Sequence, residues 1–129
     1  MRLLLDTHLV LWAAIEPARL SDRLRARLTD PANALVASAA TIWEVAIKTS
    51  LGKPGFDVDP RVLRPGLLAQ GWEELPVTGA QVAAVADLPP VHRDPFDRLL
   101  VAQAMVEGLT LLTRDALVGR YPGNVEVVS

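Results

Sequence analysis

HRDPFDRLLVAQAMVEGLTLLTRD, residues 92–115, is the stretch that decides the fold. Asp94 is a helix N-cap, Pro95 suits the first helical position, and Asp97 falls in the first turn, where a negative charge meets the helix dipole. The helix runs to Gly108, a stop signal. Leu109 to Leu112 then reads as a buried strand, and Thr113 to Asp115 as a turn. A helix that feeds straight into a strand is the joint of a parallel sheet.

The same joint recurs on either side. Arg2 to Leu5 reads as a short buried strand, and Asp6-Thr7 opens a helix to about Ala14. Ser21-Asp22 caps a second helix that ends before Pro31. Ala34 to Ala37 is a strand, and Ser38 starts a long helix through about Leu51, stopped by Gly52 and Pro54. Lys53 to Pro60 is a loop, and Val62 to Gln70 a helix weakened by Pro65 and Gly66. Trp72 to Val77 is a strand, Gly79 to Ala86 a helix, and Val125 to Val128 a last strand. The pattern predicts an α/β fold: a three-layer α/β/α sandwich with a central parallel sheet, as one domain over residues 1–129.

Composition narrows the function. Half of the 129 residues are hydrophobic, so disorder is excluded. Net charge is −2, which gives no bulk sign of nucleic-acid binding. A local arginine cluster or bound metal ions can still supply positive charge. Arginine outnumbers lysine eleven to two. With no cysteine, disulfides, zinc thiolates and cysteine nucleophiles are ruled out. Asp6 interrupts the apolar start too early for a signal peptide. No apolar stretch reaches membrane-spanning length. The expectation is a soluble, cytoplasmic protein without a membrane segment.

Asp6, Asp97 and Asp115 lie where strands end or helices begin, on the side of a parallel sheet where ligands gather. Each has a plain structural reading. Asp6 and Asp94 are good caps, Asp97 complements a helix dipole, and Asp115 is an ordinary turn residue. Glu44, in TIWEVAIK, lies inside its helix, where capping does not explain it. It can pair with Lys48 four residues on, or line a site with Thr41. Four carboxylates sharing a pocket repel one another, and a hard cation such as Mg²⁺ or Mn²⁺ removes that penalty.

Four segments, LLLDTHLVLW, SAATIWEVAIKTSLGK, HRDPFDRLLVAQAMVEGLTLLTRD and YPGNVEVV, together resemble a PIN domain of the VapC toxin type. They span nearly the whole chain in the family's order. The resemblance implies a Mg²⁺- or Mn²⁺-dependent endoribonuclease, the toxin of a toxin–antitoxin pair, acting on structured RNA such as tRNA or ribosomal RNA. The family's acids map onto Asp6, Glu44, Asp97 and Asp115. Asp6 and Asp97 would be principal metal ligands, and Glu44 would complete the site and position or deprotonate the water. Asp115 would bind directly or through water, and Asp94 would be an accessory ligand or only the cap. The resemblance also implies a small cognate antitoxin that covers the pocket, and a homodimer.

Thr113 could hold a phosphate or water through its hydroxyl. His8 reads as a surface or packing residue; His92 is the only other histidine. Arg93, Arg98 and Arg114 flank the acids, and contact either RNA phosphates or those acids. Arg19, Arg23, Arg25 and Arg27 form a cluster that is solvated or meets an acidic partner or RNA. Trp12 and Trp43 serve the core or a dimer interface. A haloacid dehalogenase-type phosphatase would need an acid where His8 stands. A receiver domain would need a lysine near the last strands, and none follows Lys53. The remaining alternative is a PIN-like scaffold that binds protein or RNA without cutting.

Overall fold

The computed structural model describes residues 1–129. Its strands are β1 (Arg2–Leu5), β2 (Ala34–Ser38), β3 (Glu73–Leu75), β4 (Thr110–Thr113) and β5 (Val125–Val127). Its α-helices are α1 (Thr7–Ile15), α2 (Asp22–Thr29), α3 (Ala39–Ser50), α4 (Pro60–Ala69), α5 (Gly79–Ala84) and α6 (Pro95–Glu107). The strands form one sheet in the order β3-β2-β1-β4-β5, and every pairing is parallel. Leu3, Leu4 and Leu5 of β1 pair with Thr110, Leu111 and Leu112 of β4.

Alternation along the strands divides the core in two. Leu3, Leu5, Ala37 and Leu112 face one cluster, with Leu9 and Val10 of α1, Leu24 of α2, Val45 of α3 and Leu63 of α4. Leu4, Val36 and Leu111 face the other, with Leu100, Val101 and Ala104 of α6. Both faces of β1 are thus covered, which is why its leucines run without a polar break. The expected three layers are present.

Element ends follow the predicted signals, with a few shifts. Asp94 caps α6, accepting from the Phe96 and Asp97 N–H groups at 2.8 and 3.2 Å. Gly108 ends it at φ +67°, a left-handed conformation that favours glycine. The strand expected over Trp72 to Val77 is only Glu73–Leu75: the Trp72 N–H is taken by the Leu67 carbonyl at the end of α4, and Pro76 has no N–H to give the ladder. α4 begins at Pro60 rather than Val62, capped by Asp59. Pro65 sits inside α4, on an exposed face, while Leu63 and Leu67 are buried and anchor the helix. A buried relay links the two halves. Ser38 donates to Gln103 at 2.6 Å, Gln103 to Gln81 at 3.0 Å, and Gln81 to Glu107 at 3.0 Å. No helix is long and apolar enough to cross a membrane.

Candidate functional site

The strand order reverses at β1. β2 and β3 lie to one side of it, β4 and β5 to the other. A crevice opens outside the carboxyl ends of strands at such a switch point. Asp6 and Thr113 stand at the ends of the two central strands, β1 and β4. Backbone pairing fixes their approach: the Asp6 N–H donates to the Leu112 carbonyl at 3.0 Å.

Asp6 satisfies both readings of it. Oδ1 caps α1 by accepting the Leu9 N–H at 3.0 Å. Oδ2 turns the other way, accepting the Thr113 hydroxyl at 2.7 Å and the Arg114 N–H at 3.4 Å. Thr113 Oγ1 also accepts the Asp115 N–H at 3.0 Å, so one hydroxyl ties the ends of both strands together. Burial raises the Asp6 pKa above its ordinary value, outweighing the hydrogen bonds from Leu9 and Thr113.

Glu44 is buried, at 3 % exposure, on the inner face of α3. Thr7 donates to its Oε1 at 2.6 Å, and Thr7 and Thr41 hydroxyls lie 3.2 Å apart. Lys48 donates to Oε2, so the i,i+4 pair exists. It is not the weak surface pair that spacing alone allows, because both side chains are largely enclosed. Lys48 Nζ also lies 3.8 Å from Asp94 Oδ2, and 5.2 and 5.7 Å from the Phe56 and Phe96 ring centroids. Burial pulls the Lys48 pKa down, but Glu44, with Asp94 and Asp97, more than reverses this, and the net shift is upward. Lys48 is therefore a built-in cation among the acids.

Asp97 points from the first turn of α6 toward the same place. Burial, then the negative charges of Asp94, Asp6 and Glu44, push its pKa up to about 7. Asp6 and Glu44 thus lie near enough for their charge to be felt at Asp97, while the tight cluster of ligand-type atoms holds His92, Asp97 and Asp115 but neither of those two. His92 opposes the shift from 3.1 Å away, at Asp97 Oδ2. The same His92 Nε2 lies 3.1 Å from Asp115 Oδ2. Asp115 uses its other oxygen to accept the Leu117 N–H at 2.8 Å, a turn role that leaves Oδ2 to meet His92 at the crevice.

His92 was not legible as a site residue from composition or periodicity. The signal available was its place two residues ahead of the Asp94 cap. One ligand-type atom each from His92, Asp97 and Asp115 lie within 4.8 Å of one another. Hard carboxylate oxygens gathered in a half-buried crevice suit a divalent cation such as Mg²⁺ or Mn²⁺.

Several flanking residues do other work. Arg98 neither pairs with the acids nor faces outward for phosphate. Its guanidinium donates to the Pro89 and Val85 carbonyls and to the Tyr121 hydroxyl. Arg114 stacks over Trp12 at 4.7 Å, with Arg19 over the same ring at 5.1 Å. Arg25 and Arg27 pair with Asp22 and Glu126. His8 is exposed and packs edge-on against Phe56. Trp43 is not a core residue; it is 60 % exposed and rests edge-on against Phe96.

Residues 3–123 match the sequence model of the PIN domain. Comparison with curated protein sequences gives no match. Among solved structures, VapBC2 from Rickettsia felis, bound to a DNA fragment from its promoter, is similar with a TM-score of 0.70 at 18 % identity, over 98 % of each chain. VapBC-1 from nontypeable Haemophilus influenzae gives 0.65 at 18 % identity, over 93 % of this chain and 91 % of the other. FitAcB from Neisseria gonorrhoeae gives 0.54 at 24 % identity, over 90 % and 89 %. At these identities the structural likeness speaks for the fold, and the sequence model for the family. With 121 consecutive residues matched and the parallel sheet in place, this chain belongs to the PIN domain family.

Proposed function

We propose that this chain is a Mg²⁺- or Mn²⁺-dependent endoribonuclease, the VapC-type toxin of a toxin–antitoxin pair. The observation that carries this reading is the gathering of Asp97, Asp115 and His92 within 4.8 Å at the carboxyl edge of the sheet, where partial burial and the charges of Asp94, Asp6 and Glu44 push the Asp97 pKa up. A fold rarely keeps such a cluster for stability, and perturbed acids in a crevice mark sites of chemistry. Asp6, Glu44, Asp97 and Asp115 would hold the ion. When bound, it supplies Lewis-acid activation of water and neutralises charge at the phosphoryl group.

The chain's own residues do the rest. Thr113 orients the Asp6 carboxylate and the Asp115 backbone by its two hydrogen bonds. Thr7 fixes one Glu44 oxygen, leaving the Lys48-paired oxygen to position or deprotonate the attacking water once Lys48 moves off it. Asp94 caps α6 through Oδ1 and turns Oδ2 toward Lys48 at 3.8 Å, so we assign it no direct ligand role. RNA of the tRNA or ribosomal class is the proposed substrate.

Incubating total RNA with wild-type protein and with Asp6→Asn, each with and without millimolar Mg²⁺, tests the proposal. New cleavage products are expected only from wild-type protein with the ion. Identical patterns in all four reactions, with tRNA and ribosomal RNA present, would sink it in favour of a non-cutting scaffold.

The partner proposed for the pocket is a small cognate antitoxin. VapBC and FitAcB structures share this fold, and the antitoxin of this chain is expected to cover the same acids. We further propose a homodimer through the face that carries Trp43. Trp43, Val77 and Val82 are exposed there and, with Pro95 and Leu99, line an apolar concavity of 440 Å³. Large aromatics in an apolar patch are typical interface anchors. Trp43→Glu should convert the dimer to a monomer in light scattering after size exclusion. A wild-type monomer, or a Trp43→Glu dimer, would count against this face.

A further inference from the structure

We propose that His92 is a positioning residue, whose Nε2–H holds the carboxylates of Asp97 and Asp115 side by side while remaining outside the metal's ligand set. The inference rests on the divalent-ion reading above. It starts from the two ring nitrogens, which face different partners. Nδ1 accepts the Asp94 backbone N–H at 3.3 Å. A nitrogen that accepts this bond carries no hydrogen, so the hydrogen of the neutral ring sits on Nε2. Nε2 is hydrogen-bonded to Asp115 Oδ2 at 3.1 Å and lies equally close to Asp97 Oδ2. The ring nitrogen therefore bonds Asp115, in the loop after β4, and holds Asp97, in the first turn of α6, in close contact beside it.

Direct ligation would use the Nε2 lone pair. The ring hydrogen would then move to Nδ1 and confront the Asp94 N–H, donor against donor. That backbone N–H belongs to a residue whose side chain is tied to the first turn of α6, so turning it away would disturb the cap. The clustering of His92 with Asp97 and Asp115 looks like a three-residue ligand set. The tautomer instead separates the ring from the two acids.

His92 is itself held. Its N–H donates to the Tyr121 hydroxyl at 2.8 Å, and that hydroxyl donates back to the His92 carbonyl at 3.3 Å. Arg98 donates to the same hydroxyl at 3.1 Å and anchors on the Pro89 and Val85 carbonyls. This gives Arg98 and Tyr121 a purpose: they brace the loop that delivers the imidazole. Supporting contacts of this kind set how well ligand atoms meet an ion.

The test uses wild-type protein, His92→Ala and His92→Gln. Mn²⁺ affinity is measured by electron paramagnetic resonance, nitrogen coupling to bound Mn²⁺ by spin echo, and the ring tautomer of metal-free protein by nitrogen-15 NMR. His92→Ala is expected to weaken Mn²⁺ binding about 10–100-fold. His92→Gln, which keeps a side-chain N–H, should bind within a few-fold of wild type. Bound Mn²⁺ should show no histidine nitrogen coupling, and the spectrum should place the hydrogen on Nε2. Nitrogen coupling that disappears in His92→Gln would make His92 a ligand and overturn the proposal. Equal affinities in all three proteins, or equally weak binding by both variants, would overturn it too. Failure of wild-type protein to bind Mn²⁺ would sink the metal reading itself. The Nε2–H hold on the two acids would then stand or fall with the nitrogen-15 spectrum alone.

Discussion

Asp97→Asn is expected to abolish RNA cleavage while making the metal-free protein more stable. The carboxylate is largely enclosed and pressed by three like charges, which together raise its pKa from the ordinary 3.8 to about 7. Above neutral pH the folded protein carries that charge against this opposition. Each unit of upward shift corresponds to about 1.4 kcal/mol of disfavoured ionisation, so the full effect is on the order of 4 kcal/mol. Relaxation in the variant reduces the gain, and about 1–3 kcal/mol is expected, or several degrees in melting temperature. The amide keeps an oxygen for His92, so that contact survives. Cleavage should fall by about 10²–10³-fold or more, the scale of losing one preorganised electrostatic group. Stability and turnover move in opposite directions, which an ordinary structural ion pair does not do. Asp97→Asn protein that melts below wild type without metal would mean that the charge is structural, and undiminished cleavage would remove Asp97 from the chemistry.

Much of this was legible in the sequence because local chemistry and global fold agree. The DPFDR stretch encodes its own helix start: Asp94 caps, Pro95 begins, and Gly108 stops. The LLL run before Asp6 encodes a strand covered on both faces. Those two readings alone place Asp6 and Asp97 near the carboxyl edge of the sheet. What spacing could not supply was the third dimension. Nothing local says that Thr113 reaches back to Asp6, 107 positions earlier, or that Lys48 meets Asp94 as well as Glu44. The arginines show the same limit. Arg98 lies next to Asp97 in sequence, but its helical direction carries it to the Tyr121 hydroxyl, behind the loop that holds His92. His92 escaped because it lies in an irregular loop, where no periodicity assigns a face. Glu44 could be flagged, since capping never explained it, but only burial showed that its pair with Lys48 is enclosed rather than solvated.

The stability of the metal-free protein should fall as pH rises from about 4 to about 7, and a divalent ion should reverse that trend. The sign follows from proton counts. Between the ordinary 3.8 and about 7, Asp97 holds its proton in the folded state and has lost it in the unfolded state. The folded state binds more protons in that window, so raising the pH favours unfolding. Asp6, raised by burial, adds to the slope in the same direction. Two surface acids act elsewhere. Arg64 lowers Glu74 and Arg61 lowers Asp59, so their contributions are lost only as the pH falls below the usual carboxylate values. Lys48 titrates far above the window. The ion requires the deprotonated carboxylates, so its stabilisation grows as they ionise. At a hundredfold excess over its dissociation constant it contributes about 2.7 kcal/mol. The rise in melting temperature on adding Mg²⁺ or Mn²⁺ should therefore be larger near pH 8 than near pH 5. Asp97→Asn should flatten the metal-free slope and shrink the ion's effect together, since one carboxylate underlies both. A metal-free protein whose melting temperature climbs through this window, or an ion effect that persists undiminished in Asp97→Asn, would separate the two phenomena and dissolve the shared site.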